Sequence, residues 1–188
     1  MTARKNLVFI FVFAPWVFSP VFSYAQPIPD KEAEATVVSL LKTLKSNLVQ
    51  EMQKNGPLGA LEFCSLQATP LTEKVNQSLK PGWSVKRISD RNRNPLNAPD
   101  EVDQEALKFF EAKGNPDFIW LDKMDDSKKL ASRYYKAIKI EGTCLQCHGT
   151  NVSKQMQKIL KQKYPKDKAT GYRVGELRGV VRLEIKQN

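Results

Sequence analysis

Histidine is almost absent from this chain of 188 residues, in which His148 is the only one. A site that needs two imidazoles, as two metal ligands or as one ligand and one acid–base group, is therefore excluded. Cysteine is also scarce. With only Cys64, Cys144 and Cys147, at least one thiol has no partner for a disulfide within the chain.

Long hydrophobic runs are absent beyond the N-terminus. There Arg4 and Lys5 precede an apolar run over residues 7–18, and Ser23-Tyr24-Ala25 fits the small-x-small rule of signal peptidase. We therefore expect residues 1–25 to be a cleaved signal peptide. The mature chain would be periplasmic, or otherwise outside the cytoplasmic membrane, without stable membrane insertion. An uncleaved anchor is the alternative, but an apolar run of only about a dozen residues is short for a membrane span.

Acidic residues are too few to balance the basic ones, and the formal net charge is +10. Basic and aromatic residues do not interleave, so no nucleic-acid partner is expected. Either a solvated lysine face or a contact with an acidic redox partner or an anionic surface would explain the excess. Much of it falls late in the chain, at Lys154, Lys158, Lys161, Lys163, Lys166 and Lys168.

Hydrophobic periodicity predicts helices first and strands mixed with helices afterwards, with no internal repeats. This order implies one α+β domain over residues 26–188, with an antiparallel sheet, flanking helices and a long N-terminal helix that ends at Gly56-Pro57. The predicted helices cover residues 31–54, 58–69, 71–79, 153–164 and the stretch from Asp100 or Asn97 to Gly114. The predicted strands cover residues 83–89, 118–121, 132–140 and 177–185.

The motif Cys144-Leu145-Gln146-Cys147-His148 carries the most chemistry. In an exported chain, C-x-x-C-H spacing lets two cysteine sulfurs bond to the vinyl groups of one haem while the histidine reaches the iron. We therefore predict one covalently attached haem c, with His148 as its fifth ligand.

The sixth ligand is left open by the sequence. Cys64 shares a helix face with Leu58, Leu61 and Ala68, so it points inward, either as a ligand or as an inert buried thiol. A thiolate would favour ferric iron, whereas methionine raises the potential. A lysine, water or no ligand at all are further alternatives, and the methionines to consider are Met52, Met124 and Met156.

Sites without haem are also conceivable. The three cysteines and His148 make up a Cys₃His zinc set, although Cys64 lies far from the usual paired spacing. A thioredoxin-type dithiol is disfavoured because no parallel β-α-β pattern surrounds the motif.

Several segments together resemble a family of exported c-type haem domains with a PAS-like fold, long catalogued as a domain of unknown function. The resemblance covers most of the mature chain, and it implies His148 and Cys64 as the axial ligands of a single covalent haem c. The matching segments are Glu62-Phe63-Cys64-Ser65, Arg87-Ile88-Ser89, Arg93-Asn94-Pro95-Leu96-Asn97-Ala98-Pro99-Asp100-Glu101, the C-x-x-C-H motif with Gly149, Tyr164-Pro165-Lys166-Asp167-Lys168-Ala169-Thr170-Gly171-Tyr172, and Gly175 with Leu177-Arg178-Gly179.

Charged and aromatic residues elsewhere suggest contacts with the haem. Arg87, Arg91 and Arg93 suit haem propionates, because a guanidinium pairs with a carboxylate through a planar fork, although a loop of solvated arginines would look the same. Tyr134 and Tyr135 suit the haem edge, but alternation along a strand lets only one of them point inward, where core packing is its default role.

Two functions follow from a single haem of this kind. The first is a redox or small-ligand sensor acting through a separate signalling or redox protein, and the second is a low-potential electron carrier. We do not expect an enzyme, since a peroxidase-like activity needs a distal acid–base group and there is no second histidine.

Overall fold

The computed structural model describes residues 31–112, 116–124 and 130–186. The predicted signal peptide and the predicted end of the fourth helix at Gly114 lie outside these residues. Within them the chain forms four strands and five helices. In the described part, no helix is both long and apolar enough to cross a membrane. The helices are α1 (Lys31–Leu66), α2 (Ala68–Gln77), α3 (Glu101–Ala112), α4 (Leu145–His148) and α5 (Lys154–Lys163), and the strands are β1 (Trp83–Ile88), β2 (Phe118–Met124), β3 (Leu130–Lys139) and β4 (Leu177–Lys186).

The α+β class and the antiparallel sheet are confirmed. The strand order is β1-β4-β3-β2, and every pair of neighbours is antiparallel. Central positions such as Leu183 stand opposite Val85 on one side and Tyr134 on the other, which keeps the apolar residues of three strands in line. The more specific expectation of a PAS-like arrangement stays a prediction.

The long N-terminal helix is confirmed, and so is its break. Gly56 has φ 65° and ψ −167° inside α1, a backbone conformation that favours glycine. Pro57 then starts a separate helical segment, a position where its missing N–H costs little. We call residues 57–66 the Cys64 segment, since it carries Cys64.

The predicted break at Pro70 is wrong by three residues. Helix α2 begins at Ala68 and runs through Pro70, and the chain changes direction at Gln67 instead. Proline is tolerated in the first turn of a helix because the N–H that it lacks would have no helical partner there.

Both faces of the sheet are covered, which corrects the expectation that only one of Tyr134 and Tyr135 is inward. Helix α1 covers the face with Val85 and Tyr134, and α3 covers the face with Ile88 and Tyr135. Both tyrosines are fully buried. Tyr134 packs against the aromatic rings of Phe118 and Trp120, and neither tyrosine reaches the C-x-x-C-H motif in these clusters.

Helix α3 is fixed to the sheet by buried charges. The Asp103 backbone N–H donates to Asp100 Oδ1 at 2.9 Å, and the Asp100 N–H donates back to Asp103 Oδ2 at 3.1 Å, so Asp100 caps the helix as predicted. Asp103 is completely buried and also accepts bonds from Arg182 at 3.0 Å and from the Tyr135 hydroxyl at 2.9 Å. Arg133 completes the network through Asp100 at 2.8 Å and Glu184 at 2.6 Å.

Candidate functional site

The C-x-x-C-H motif lies in a tight turn that directly follows the sheet. After β3, a single 3₁₀ turn over Gly142–Cys144 leads into α4, the one-turn helix that ends at His148. Both thiols are half-buried and free. Cys147 packs against an apolar cluster that includes Leu61, and Cys144 packs against a cluster that includes Tyr172. The short helix therefore presents its two sulfurs and its imidazole within five residues.

One ring nitrogen of His148 is hydrogen-bonded to the protein backbone. Its Nδ1 lies 2.7 Å from the carbonyl oxygen of Ala169, and a carbonyl can only accept, so Nδ1 carries the proton. Burial, together with the nearby Arg178 and Arg93, lowers the pKa of His148 to about 3 and keeps the ring neutral. A neutral imidazole whose Nδ1–H is bonded to a backbone carbonyl leaves Nε2 with a lone pair for a metal.

A segment that we call the strap, residues 164–172, runs beside this turn. The Gly171 N–H donates to the Gly149 carbonyl at 2.9 Å, and the Tyr172 N–H donates to the His148 carbonyl at 2.9 Å. The Tyr172 ring stands edge-on to His148, with ring centres 6.3 Å apart. The strap therefore holds the histidine from its backbone and from its ring.

The structure brings the Cys64 segment beside this turn through the packing of Leu61 with Cys147, although Cys64 lies eighty residues before the motif. The pKa of the Cys64 thiol is raised above its usual value, and burial is the largest cause. The positive charges of Arg87, Arg93 and Arg178 lower that pKa, and the sulfur of Cys147 raises it further. Cys64 is thus within electrostatic range of the motif and faces a group of arginines.

The three arginines predicted as propionate contacts have different surroundings. Arg91 bonds to the Thr170 carbonyl and lies over the Tyr172 ring at 3.7 Å. Arg93 is bound by Asp167 and by two backbone carbonyls, so its bonds go to protein atoms. Arg87 forms no ion pair among the described residues. Burial lowers its pKa, and the Cys64 sulfur is the first group to raise it.

These features fit a haem better than a bare metal ion. A largely buried guanidinium without a carboxylate, as at Arg87, is costly unless an anion accompanies it, and a propionate would supply one. The buried Tyr172 hydroxyl has no hydrogen-bond partner of good geometry in the described part of the chain. The positive charge of Arg178 interacts with it electrostatically. The zinc alternative gains no support, because no three or more acidic, cysteine or histidine side chains among the described residues are arranged around one point.

Sequence reasoning gave no role to Arg178, Asp167 or Ala169. Arg178 is the second residue of β4, and it donates to Ser89 Oγ at 3.0 Å, beside Tyr172. Asp167 and Ala169 belong to the strap and hold Arg93 and His148 respectively. Asp167 and Ala169 stand in the Tyr-Pro-x-Asp-x-Ala-Thr-Gly motif, which was a signal that this segment matters, but only the fold shows what it touches.

The fold and the site together define an α+β domain in which a C-x-x-C-H turn faces a third cysteine from a kinked N-terminal helix. The family model described as Tll0287-like matches residues 21–186, and the chain belongs to that family. No curated protein is a significant match.

A solved structure shares the fold. It is titled as the crystal structure of the cyanobacterial heme-protein Tll0287, with 24% sequence identity and a TM-score of 0.65. The alignment covers 85% of this chain and 98% of that one, so the architecture described above is that of the matched protein over nearly its whole length.

Proposed function

We propose that this chain is an exported monohaem c-type cytochrome that serves as a redox or small-ligand sensor. Cys144 and Cys147 would hold one haem covalently, with His148 and Cys64 as its axial ligands. The haem supplies a metal that changes its oxidation state by one electron and binds small gases when a ligand position is open.

Four observations support the haem itself. The motif spacing is that of covalent haem attachment. His148 is held neutral with Nε2 free, and Cys64 interacts electrostatically with Cys147. Arg87 lacks a carboxylate partner in the part of the chain that the structure describes. The solved structure of similar fold is titled a heme-protein.

The sensor role is supported above all by the unequal anchoring of the two proposed ligands. His148 sits on a turn that is bonded to the strap through its ring and its backbone. Cys64 sits on a helical segment of only ten residues, which is bounded by the Gly56 kink and by the change of direction at Gln67. An open cavity of about 690 Å³ lies between the same segment and Ile159 and Lys163 of α5, so the segment has free space beside it.

This asymmetry gives Cys64 a way to leave. A thiolate is held best by the ferric form, because the extra positive charge stabilises it. When the reductant supplies one electron, Cys64 would take up one proton from solvent and withdraw as a neutral thiol, while His148 stays in place. The open position would then accept a small neutral molecule such as CO or NO.

Reduction is therefore expected to open the site. Wild-type protein expressed with haem-maturation machinery should show no CO binding when oxidised and should bind one CO per haem after dithionite reduction. Absorption spectra taken under nitrogen and under CO measure this directly. The reduced Cys64→Ala variant is the control, and it should bind CO to the same extent and at a similar rate, because in the reduced wild type the sulfur has already left.

A reduced wild type that excludes CO and keeps the spectrum of two protein ligands would overturn the sensor role. That result would favour the alternative function, a low-potential electron carrier, which keeps both ligands through its cycle.

The carrier alternative is favoured by one surface. The side of α5 that faces solvent carries only lysines and glutamines, while Met156 and Leu160 on its other side pack with Leu61 and Cys147. The basic face is thus the outer side of a helix that packs on both the Cys64 segment and the C-x-x-C-H turn. Asp167 is the one acid in residues 149–175, and it is already paired with Arg93. An acidic redox protein would be the matching partner, since complementary fields speed encounter.

A further inference from the structure

Two motifs that are far apart in the sequence have no part in the proposed ligand set. One begins at Arg93 and continues with Asn94-Pro95, and the other is the strap with Asp167, Ala169 and Gly171. The fold joins them through an ion pair between Arg93 Nε and Asp167 Oδ2 at 3.1 Å. The side chains of this pair are only 9% and 10% exposed, so the charges are largely desolvated and depend on each other.

The same guanidinium bonds to two backbone carbonyls next to His148, one in the motif and one in the strap. Arg93 Nη2 donates to the carbonyl of Cys147, the residue before His148, at 2.7 Å. It also donates to the carbonyl of Ala169 at 3.3 Å, which is the oxygen that accepts the His148 Nδ1 proton. A rigid planar fork can hold three acceptors at once, which a flexible ammonium cannot do with the same geometry.

Asp167 fixes the other end of this arrangement. Its Oδ1 accepts the Ala169 N–H at 2.8 Å while Oδ2 holds Arg93. The Arg93–Asp167 pair therefore orients both peptide groups that flank Ala169. The Ala169 N–H is bonded to the Asp167 carboxylate, and the Ala169 carbonyl accepts from both the Arg93 guanidinium and the His148 imidazole. Arg91 is different, since it bonds to the next carbonyl, that of Thr170, and stacks on Tyr172.

We propose that Arg93 and Asp167 act together as a positioning pair that holds the Ala169 carbonyl against His148 Nδ1 and so fixes the orientation and donor strength of this imidazole. The inference rests on the proposed function for its consequence at the metal, because the partner on Nδ1 tunes how strongly Nε2 donates. It gives Arg93 a different role from the propionate contact that the sequence suggested, and it gives Asp167 a role where the sequence suggested none.

The chain offers an unusually clean test, because His148 is its only histidine. Haem-loaded protein labelled with ¹⁵N-histidine gives a single side-chain signal for the Nδ1 proton. We expect Arg93→Gln and Asp167→Asn each to speed exchange of this proton with solvent by about tenfold, the equilibrium effect of losing one hydrogen bond of ordinary strength. Both variants should also shift the reduction potential, and Arg93→Lys should restore the wild-type values only in part.

The double variant and a variant of a neighbouring arginine distinguish a positioning role from a general loss of stability. Because the pair acts as one device, Arg93→Gln with Asp167→Asn should change the exchange rate little more than either single change. Arg91→Gln removes a neighbouring arginine that contacts the same strap at Thr170 and Tyr172, and it should leave the exchange rate of the His148 proton within twofold of the wild type. Urea denaturation of each variant reports any loss of stability separately.

Exchange rates within twofold of the wild type in both single variants, or an equal acceleration by Arg91→Gln, would overturn the positioning role. Failure of the proposed function has a different signature. In the wild type itself, the ¹⁵N spectrum would then show an imidazole whose Nε2 binds no metal, and the comparison of exchange rates between variants would still decide the role of Arg93 and Asp167.

Discussion

Replacing Asp103 with alanine is expected to lower the free energy of unfolding by about 3–5 kcal/mol, the usual cost of removing one partner from a buried ion pair. Asp103 is completely buried and accepts bonds from Arg182, Arg133 and the Tyr135 hydroxyl. Its loss removes one acceptor from each of two guanidinium groups, which keep Asp100, and removes the acceptor of the buried Tyr135 phenol. The same change removes the bond from the Asp100 N–H to the Asp103 carboxylate, which is one half of the reciprocal cap at the start of α3.

Urea denaturation measures this effect as a lower midpoint with an unchanged slope. Glu105→Ala is the matched control, since Glu105 is an exposed acid on the same helix, and its effect should stay within about 0.5 kcal/mol. The loss of unfolding free energy in Asp103→Asn should lie between those of the two alanine variants, because asparagine keeps an acceptor but not the charge. A loss below about 1 kcal/mol in Asp103→Ala would contradict the account of this network.

Replacing both Cys144 and Cys147 with serine is expected to abolish covalent attachment of haem. In the wild type two thioether bonds would hold the group through denaturation, whereas the variant would keep only the metal bonds of its axial ligands. Acid–acetone extraction followed by intact-mass measurement distinguishes the two states. The wild-type polypeptide should retain the mass of one haem, and the double variant should have the mass of the polypeptide alone.

Cys64→Ser is the control for this experiment, because it removes the third thiol without touching the motif. It should retain the full haem mass after extraction. Loss of haem from the wild type under the same conditions, or retention in the double variant, would contradict attachment at Cys144 and Cys147.

Local patterns predicted most of the elements, and the errors have physical reasons. The kink at Gly56-Pro57 was predictable because glycine and proline act on the backbone at their own position. The break at Gln67 was missed because a proline in a first turn looks, in sequence, like a proline that ends a helix. The burial of both Tyr134 and Tyr135 was missed because alternation does not reveal that α1 and α3 cover opposite faces of one sheet.

The candidate site divides in the same way. The C-x-x-C-H motif and its histidine could be predicted because all three side chains lie within one turn. Counting cysteines left Cys64 as the one that the motif does not use, and the fold then placed it in electrostatic range of Cys147. The separate roles of Arg91 and Arg93 could not be predicted, because they depend on which strap residue each guanidinium bonds to across more than seventy positions.

The axial pair of His148 and Cys64 is the central claim, and one measurement tests it most directly. Ferric and dithionite-reduced absorption spectra would be recorded for the haem-loaded wild type and for Cys64→Ser. The account predicts thiolate-type features in the ferric wild type that are absent from Cys64→Ser. Spectra that are the same in both proteins would contradict it, would make Cys64 a residue of the core, and would assign the sixth position to a methionine, a lysine or water.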